Sequence, residues 1–428
     1  MARGRALRRG AACLCAVIGC ADLAAQAPSP ATTYGQSLYR LEDARSAWRP
    51  FRPVLPDAGS TSGALEHAIE LQEMHGGPFS PELLEPLQSL GAARFAQGDF
   101  RGAGAAWDRA LHLVRVNDGL QSPAQRWLLE QLSEASLAGG RIAQADEQQR
   151  QIFALARKQW NATEPAMQDT AARYADWLRG AYLAGVDRER YARLVALLAL
   201  FDSLIAEAEQ EAGAESRVLL PYLRGRLDAV YLITVYPGES RAGSTTEAGT
   251  DPGEGKLDLI RFLELKRDAF REGERTAARI QAILTADTQA NDLERAEALL
   301  AQADWYQWHR RAAQSLPLYE QAWQLAGETN APWRREQLGS PLELPAGIVF
   351  QPGRLPLPER SDTELRLRFG VSRQGRVQDV TWLPGPAPEQ PVQAQALALL
   401  DALRFRPRLD AGRVADTPAI ERSYHMRH

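Results

Sequence analysis

The sequence predicts a mainly α chain: an α-solenoid of paired helices, followed by a small α+β domain with ββαβ order. Three observations carry this. Apolar residues recur at three- and four-residue spacing in helix-turn-helix units whose equivalent positions, such as Ala103 and Ala145, lie 42 residues apart. Stretches rich in proline or glycine interrupt the pattern at 237–255 and end it at 331–360. Beyond residue 361 the apolar period changes from 3.6 to 2.

The chain opens with Arg3, Arg5, Arg8 and Arg9, continues through an apolar run at 11–18, and reaches the small-x-small triplet Ala25-Gln26-Ala27. That order reads as an export signal over residues 1–27, with an apolar run too short to span a bilayer. All three cysteines, Cys13, Cys15 and Cys20, fall inside it. Val17-Ile18-Gly19-Cys20 resembles a bacterial lipobox, which implies lipidation of Cys20 and a membrane tether. Two outcomes stand open: cleavage after Ala27, or cleavage before Cys20 with the lipid attached. Either leaves domains without disulfides or thiolate metal sites, expected in the periplasm or on the periplasmic face of a membrane. Residues 28–62, rich in Pro, Ser, Thr and Gly, read as a flexible tether.

The helical array is expected over 63–330. In its clearest unit Leu87, Leu90 and Gly91 share one helix face, Gly98-Asp99 supplies a turn, and Ala103, Trp107 and Ala110 line the second helix. One unit later Leu129, Leu132, Ser133 and Ser136, the Gly139-Gly140 turn, and Ala145, Gln149 and Ile152 repeat the scheme. These units resemble tetratricopeptide (TPR) repeats in a longer form. The resemblance implies an α-solenoid whose function is to display a binding surface. A degenerate unit follows from Met167, with stripes at Tyr174, Leu178, Tyr182 and at Tyr191, Leu194, Leu198, Phe201, Ile205. Residues 237–255 hold almost nothing apolar and read as a disordered loop. The last unit carries Leu299, Ala303 and Tyr306 on its first helix, and Ser315, Tyr319 and Ala322 on its second.

Proline density over 331–360 reads as a linker into a domain at 361–428. Leu365, Leu367, Phe369 and Val371 alternate with charged or small neighbours, Gln374-Gly375 turns, and Val377 opens a second strand. Val392, Ala396, Leu399, Leu400 and Leu403 mark one helix face. A strand through Arg404–Pro407, a turn at Gly412 and an extended end follow, with "ERSYHMR" as the expected pairing partner. The Gly375-Arg376-Val377 hairpin exit, the helix, the "RFRP" run and the Gly412 turn resemble the C-terminal domain of TonB-type energy transducers. That implies a periplasmic domain that binds a partner through a strand edge or short peptide contacts. The transducers' uncleaved membrane helix and long proline-rich spacer have no counterpart here.

No compact chemistry stands out. Six histidines form no HExxH, and GxSxG and GxxxxGK are absent. No metal, no cofactor and no enzymatic activity are expected, and a net charge of −4 argues against nucleic acid as a partner. The candidate partner-binding residues are two groups. "DWYQWHRR" is the densest aromatic cluster: Tyr306 falls on a packing position, leaving Trp305 or Trp308 to face the groove of the last repeat beside Arg310 and Arg311. Repeat packing is the competing explanation for these tryptophans. Arg366, Arg368, Arg404 and Arg406 alternate with apolar residues and are expected on the sheet face opposite the core. The expected function is a non-enzymatic periplasmic protein-interaction scaffold of a bacterial envelope, with a protein or peptide partner. The alternatives are a component of a TonB-like uptake or secretion system contacting an outer-membrane protein, and an enzyme hidden in the middle helices.

Overall fold

The computed structural model describes residues 38–39, 62–186, 190–236, 252–346, 349–350, 355, 362–384 and 389–427. The export signal with Cys20, most of the expected tether, residues 237–251 and part of the expected linker lie outside the described residues. Among the described residues no helix is long and apolar enough to cross a membrane.

Paired helices make up the array: α1 (Ser62–Gly76), α2 (Leu84–Ala96), α3 (Phe100–Asn117), α4 (Gln125–Ala138), α5 (Ile142–Gln159), α6 (Pro165–Ala184), α7 (Arg190–Ala212), α8 (Leu220–Thr234), α9 (Pro252–Ala286), α10 (Asp292–Trp308), α11 (Ala312–Ala326) and α12 (Ala331–Leu338). Local chemistry sets their ends. Asp99 Oδ1 accepts the Gly102 N–H at 2.8 Å and starts α3. Asn291 and Glu294 form a reciprocal capping box at the start of α10. Each sharp α2–α3 and α4–α5 turn runs through a glycine with positive φ, Gly98 at 81° and Gly140 at 71°.

Packing follows the apolar stripes. Trp107 is fully buried and its Nε1 donates to Gln88 O at 3.2 Å. Its ring lies where a Cβ at Gly91 would sit, so only glycine lets α2 and α3 approach this closely. The same device returns between α9 and α10, where the Trp305 ring covers Gly273. The register is repeated in burial: Ala103, Trp107 and Ala110 on α3 and Ser315, Tyr319 and Ala322 on α11 are all fully buried. A mainly α solenoid of TPR-like helix pairs, followed by a small α+β domain, is the architecture observed.

The terminal domain adds strands β1 (Leu38–Tyr39), β2 (Leu342–Glu343), β3 (Asp362–Val371), β4 (Val377–Trp382), β5 (Phe405–Arg406), β6 (Arg408–Asp410), β7 (Arg413–Ala415) and β8 (Thr417–Arg427), with helix α13 (Gln390–Ala402). The main antiparallel sheet has the order β1-β8-β3-β4. Leu365, Leu367, Phe369, Tyr424 and Met426 on one face pack against Ala396, Leu399 and Leu400 of α13. On the opposite face Arg368 lies across from Glu421 and pairs with it at 2.5 Å.

Five expectations change. Ala331–Leu338, read as linker, is helical, because Pro332 sits in the first turn, where its missing N–H has no role. Leu342–Glu343 then pairs with β5 instead of remaining linker. The helix α9 begins at Pro252, inside the expected 237–255 loop. The "ERSYHMR" end does not pair with the strand at 404–407: it belongs to β8, which pairs with β3, while β6 and β7 pair with each other around Ala411-Gly412. Leu38 and Tyr39, from the expected tether, pair with Met426 and His425 of β8.

Candidate partner-binding surfaces

Two surfaces concentrate polar chemistry, and the first is the seam between the last repeat and the terminal domain. Asp304 projects from α10 beside Trp305 and is 5 % exposed. Arg406, on β5, meets it with two bonds: Nη2 to Oδ2 at 2.6 Å and Nε to Oδ1 at 3.0 Å. Tyr319 of α11 donates its hydroxyl to the same Oδ1 at 2.8 Å, and Arg406 Nη1 donates to Gln337 O at 2.9 Å. Burial alone would lower the Arg406 pKa, but the Asp304 carboxylate more than offsets this and holds it above the usual arginine value. Burial pushes the Tyr319 and Tyr231 hydroxyls well above their ordinary range, so both stay neutral and Tyr319 remains a donor. Around this pair Gln307 Nε2 donates to Phe405 O at 3.1 Å and to Gln374 O, while Ser315 Oγ donates to Gln307 Oε1 at 2.8 Å. A fully satisfied buried network of this kind fixes one docked geometry.

The hairpin of β6 and β7 completes the seam. Glu320 of α11 accepts from Arg413 Nη1 at 2.8 Å and from Val414 N at 3.3 Å. Leu409 packs with Leu299, Tyr319 and Leu338. In the middle of an array this face of the second helix meets the next repeat. Here α12 and the hairpin cover it.

The sequence-predicted residues separate accordingly. Trp305 is fully buried, with Nε1 donating to Phe270 O at 3.0 Å and its ring 4.7 Å from Tyr231, so it is a packing residue and not a groove anchor. Trp308 is partly buried, donates to Thr234 Oγ1 at 3.0 Å and packs near Phe350. Arg311 lies 3.9 Å over the Phe270 ring, and Arg310 is exposed and has no ion-pair partner among the described residues. Arg366 and Arg368 lie on the exposed sheet face. Arg404 and Arg406 do not: they are 5 % and 3 % exposed. The alternation rule failed there because β5 is enclosed on both sides, by the terminal domain and by the array. Nothing in the sequence marked Asp304, which sits between Ala303 and Trp305 in an otherwise apolar stripe. A charge on a packing face was the available signal.

The second surface is a groove of about 660 Å3 between α3, α4 and α5. Arg101, Asp108, Arg115, Arg141, Glu147 and Gln148 contribute its polar lining, above Leu111, Leu129 and Leu132. Arg115 is engaged, donating to Gln125 and Gln151 at 3.0 Å each. Gln148 Oε1 is buried with no hydrogen-bond partner. Asp108 makes no hydrogen bond among the described residues, and burial raises its pKa against the pull of Arg115. In the repeat register that aligns Ala103, Trp107 and Ala110 with Ser315, Tyr319 and Ala322, Asp108 is the counterpart of Glu320. The position that grips β7 in the last repeat is therefore open in the first. Among the described residues no group of three or more His, Cys, Asp or Glu is placed to hold a metal ion.

No family's sequence model matches the chain, and no curated protein matches it. Several solved structures are similar to it. Two are from Podosopora anserina, described as putative kinesin light chain nearly identical TPR-like repeats. One is 16 % identical, covering 59 % of this chain and 99 % of that one with a TM-score of 0.34; a variant form of it is 14 % identical, covering 58 % and 97 %, with a TM-score of 0.35. A third, BtubC (BKLC) from P. vanneervenii, is 12 % identical, covering 64 % of this chain and 93 % of that one, with a TM-score of 0.31.

Proposed function

We propose that the protein is a non-enzymatic protein-interaction scaffold of a bacterial envelope, and that the groove between α3, α4 and α5 receives an extended segment of its partner. One observation carries the reading: Asp108 occupies in the first repeat the position from which Glu320 holds the Arg413 guanidinium and the Val414 N–H in the last. An extended segment with a basic side chain would give Asp108 the cation and Gln148 Oε1 the N–H that they lack. Export and the periplasm rest on the leader at 1–27, and the lipid tether on Cys20. An intact-mass measurement on protein purified from its native envelope distinguishes a lipidated start at Cys20 from a free start at Pro28.

The test of the groove is peptide selection from a random library on the full chain, run beside Asp108→Asn. The expected result is enrichment of sequences containing Arg or Lys that bind the parent at least about tenfold better than the variant, the size of one charge-assisted hydrogen bond. Equal recovery on both proteins sinks the proposal. A contact with an outer-membrane protein, as in a TonB-like uptake system, is the second reading. It is favoured by β4, which forms one edge of the main sheet and, among the described residues, pairs only with β3.

A further inference from the structure

Three segments distant in sequence meet at the seam, and each brings an arginine next to its contact residue. Phe405 N donates to Gly375 O at 2.9 Å, and Gln307 Nε2 bonds both Phe405 O and Gln374 O. Arg404 precedes Phe405, Arg376 follows Gly375, and Arg310 ends the turn whose backbone bond runs from Arg310 N to Gln307 O at 3.0 Å. Arg310 and Arg376 are exposed, and among the described residues neither side chain finds a hydrogen-bond or ion-pair partner. Arg404 is buried, with Nη1 on the carbonyls of Asp401 and Leu403 at the end of α13. Asp401 lies close enough to bear on Arg404 electrostatically but forms no ion pair.

Arg310 is also an unusual residue for its backbone. Its φ is 59°, the left-handed conformation that side-chain-bearing residues seldom adopt. In the repeat register its counterparts are Gly98 and Gly140, each glycine and each at positive φ. The last repeat accepts backbone strain to carry a guanidinium where the first two carry none, and nothing within the described residues pairs with that guanidinium. Burial, Arg310 and Arg376 together press the Arg404 pKa down to about 10, only partly opposed by Asp401. Three like charges gather here against the one carboxylate of Asp401, and the positive charge left over calls for an anion from outside.

We propose that Arg310, Arg376 and Arg404 form an oxyanion site at the seam, suited to a small dianion of the phosphate type, which bridges the array and the terminal domain. Two exposed guanidinium groups can approach the ligand from solvent, one from each domain, while the buried third supplies field from beneath. The site is separate from the α3–α5 groove and does not depend on it.

The experiment is a thermal-unfolding and calorimetric titration of the full chain with inorganic phosphate at constant ionic strength, with acetate and chloride as parallel arms. The parent is expected to gain thermal stability with phosphate, to gain less with acetate, and to gain nothing with chloride. Arg310→Gly, which restores the residue of the other repeats and suits the backbone, should fold at least as well without ligand. It should lose phosphate affinity by about tenfold or more, as should Arg376→Gln. Equal gains in all three salt arms, or a phosphate response unchanged in both variants, would overturn the site.

Discussion

The first and last repeats use one packing scheme to opposite ends. Both bury the same three positions on their second helix. In the first repeat the neighbouring repeat leaves a groove lined by Asp108 and Gln148. In the last repeat the same helix face is closed by α12 and the β6–β7 hairpin, with Glu320 gripping Arg413 and Val414. Trp107 sits in an apolar core and gives its Nε1–H to the Gln88 carbonyl, whereas the equivalent Tyr319 turns its hydroxyl to a buried ion pair. A solenoid's interior is thus a place for surface display, and its end is a place for a specific polar lock.

Breaking each core tests that contrast, and these are the largest effects. Trp107→Ala should cost about 3–5 kcal/mol in denaturant unfolding, the usual range for emptying a buried aromatic site. Arg406→Ala should cost about 3–5 kcal/mol as well, because it strands the Asp304 carboxylate in the interior. The two differ on repair. Asp304→Leu combined with Arg406→Met should recover most of the second loss. If the double variant is as unstable as Arg406→Ala, the lock acts through shape and not through charge.

Titration gives an intermediate effect. His309 packs against Phe270 and Trp305, and burial, with Arg311 nearby, brings its pKa down to about 4 from 6.5. The unfolded chain therefore takes up this proton first, and stability is lost as pH falls from about 6.5 toward 4, by up to about 3 kcal/mol. Asp228 on α8 works the other way: burial, opposed by Arg179 and reinforced by Asp176, pushes it up to about 7 from 3.8. Here the folded state holds the proton longer, and stability is lost as pH rises from about 4 to 7. His309→Gln should gain on the parent as pH falls, and Asp228→Asn should gain as pH rises. Stability curves that run parallel to the parent's across this range refute both assignments.

The smallest effect sharpens the repeat equivalence. Glu320→Gln should cost about 1 kcal/mol, since Arg413 is mostly exposed and only part of the interaction is lost. Asp108→Asn should leave stability within about 0.5 kcal/mol of the parent, as expected for a side chain with no partner. A larger loss at Asp108 than at Glu320 would mean that the two positions are not equivalent.

The fold was legible where one physical pattern dominated. Stripes such as Ala103, Trp107, Ala110 and strands such as Leu365, Leu367, Phe369 identify their elements because burial on one face imposes a period. The seam was not legible. Arg406 follows the alternation that normally turns a residue to water, and only the approach of α10 from that side buries it. Whether Trp305 or Trp308 faced the groove or packed was not legible, because aromatic density in sequence does not say which neighbour covers a ring. Asp108 and Glu320 are ordinary acids in a chain rich in them. Their relation emerges only when the repeat register is combined with the hairpin's position in space.

The bond between Asp304 and Arg406 spans 102 residues and has a consequence for the order of folding. Repeat units can close one after another as the chain lengthens, because each needs only its neighbours. The last cannot. Until residue 406 has been made, α10 would have to bury an aspartate with no cation, so the end of the array stays loose while the rest is formed. β3 likewise waits for β8. A chain cut short before residue 406 carries an unfinished repeat, and one cut short before β8 leaves β3 paired with β4 alone.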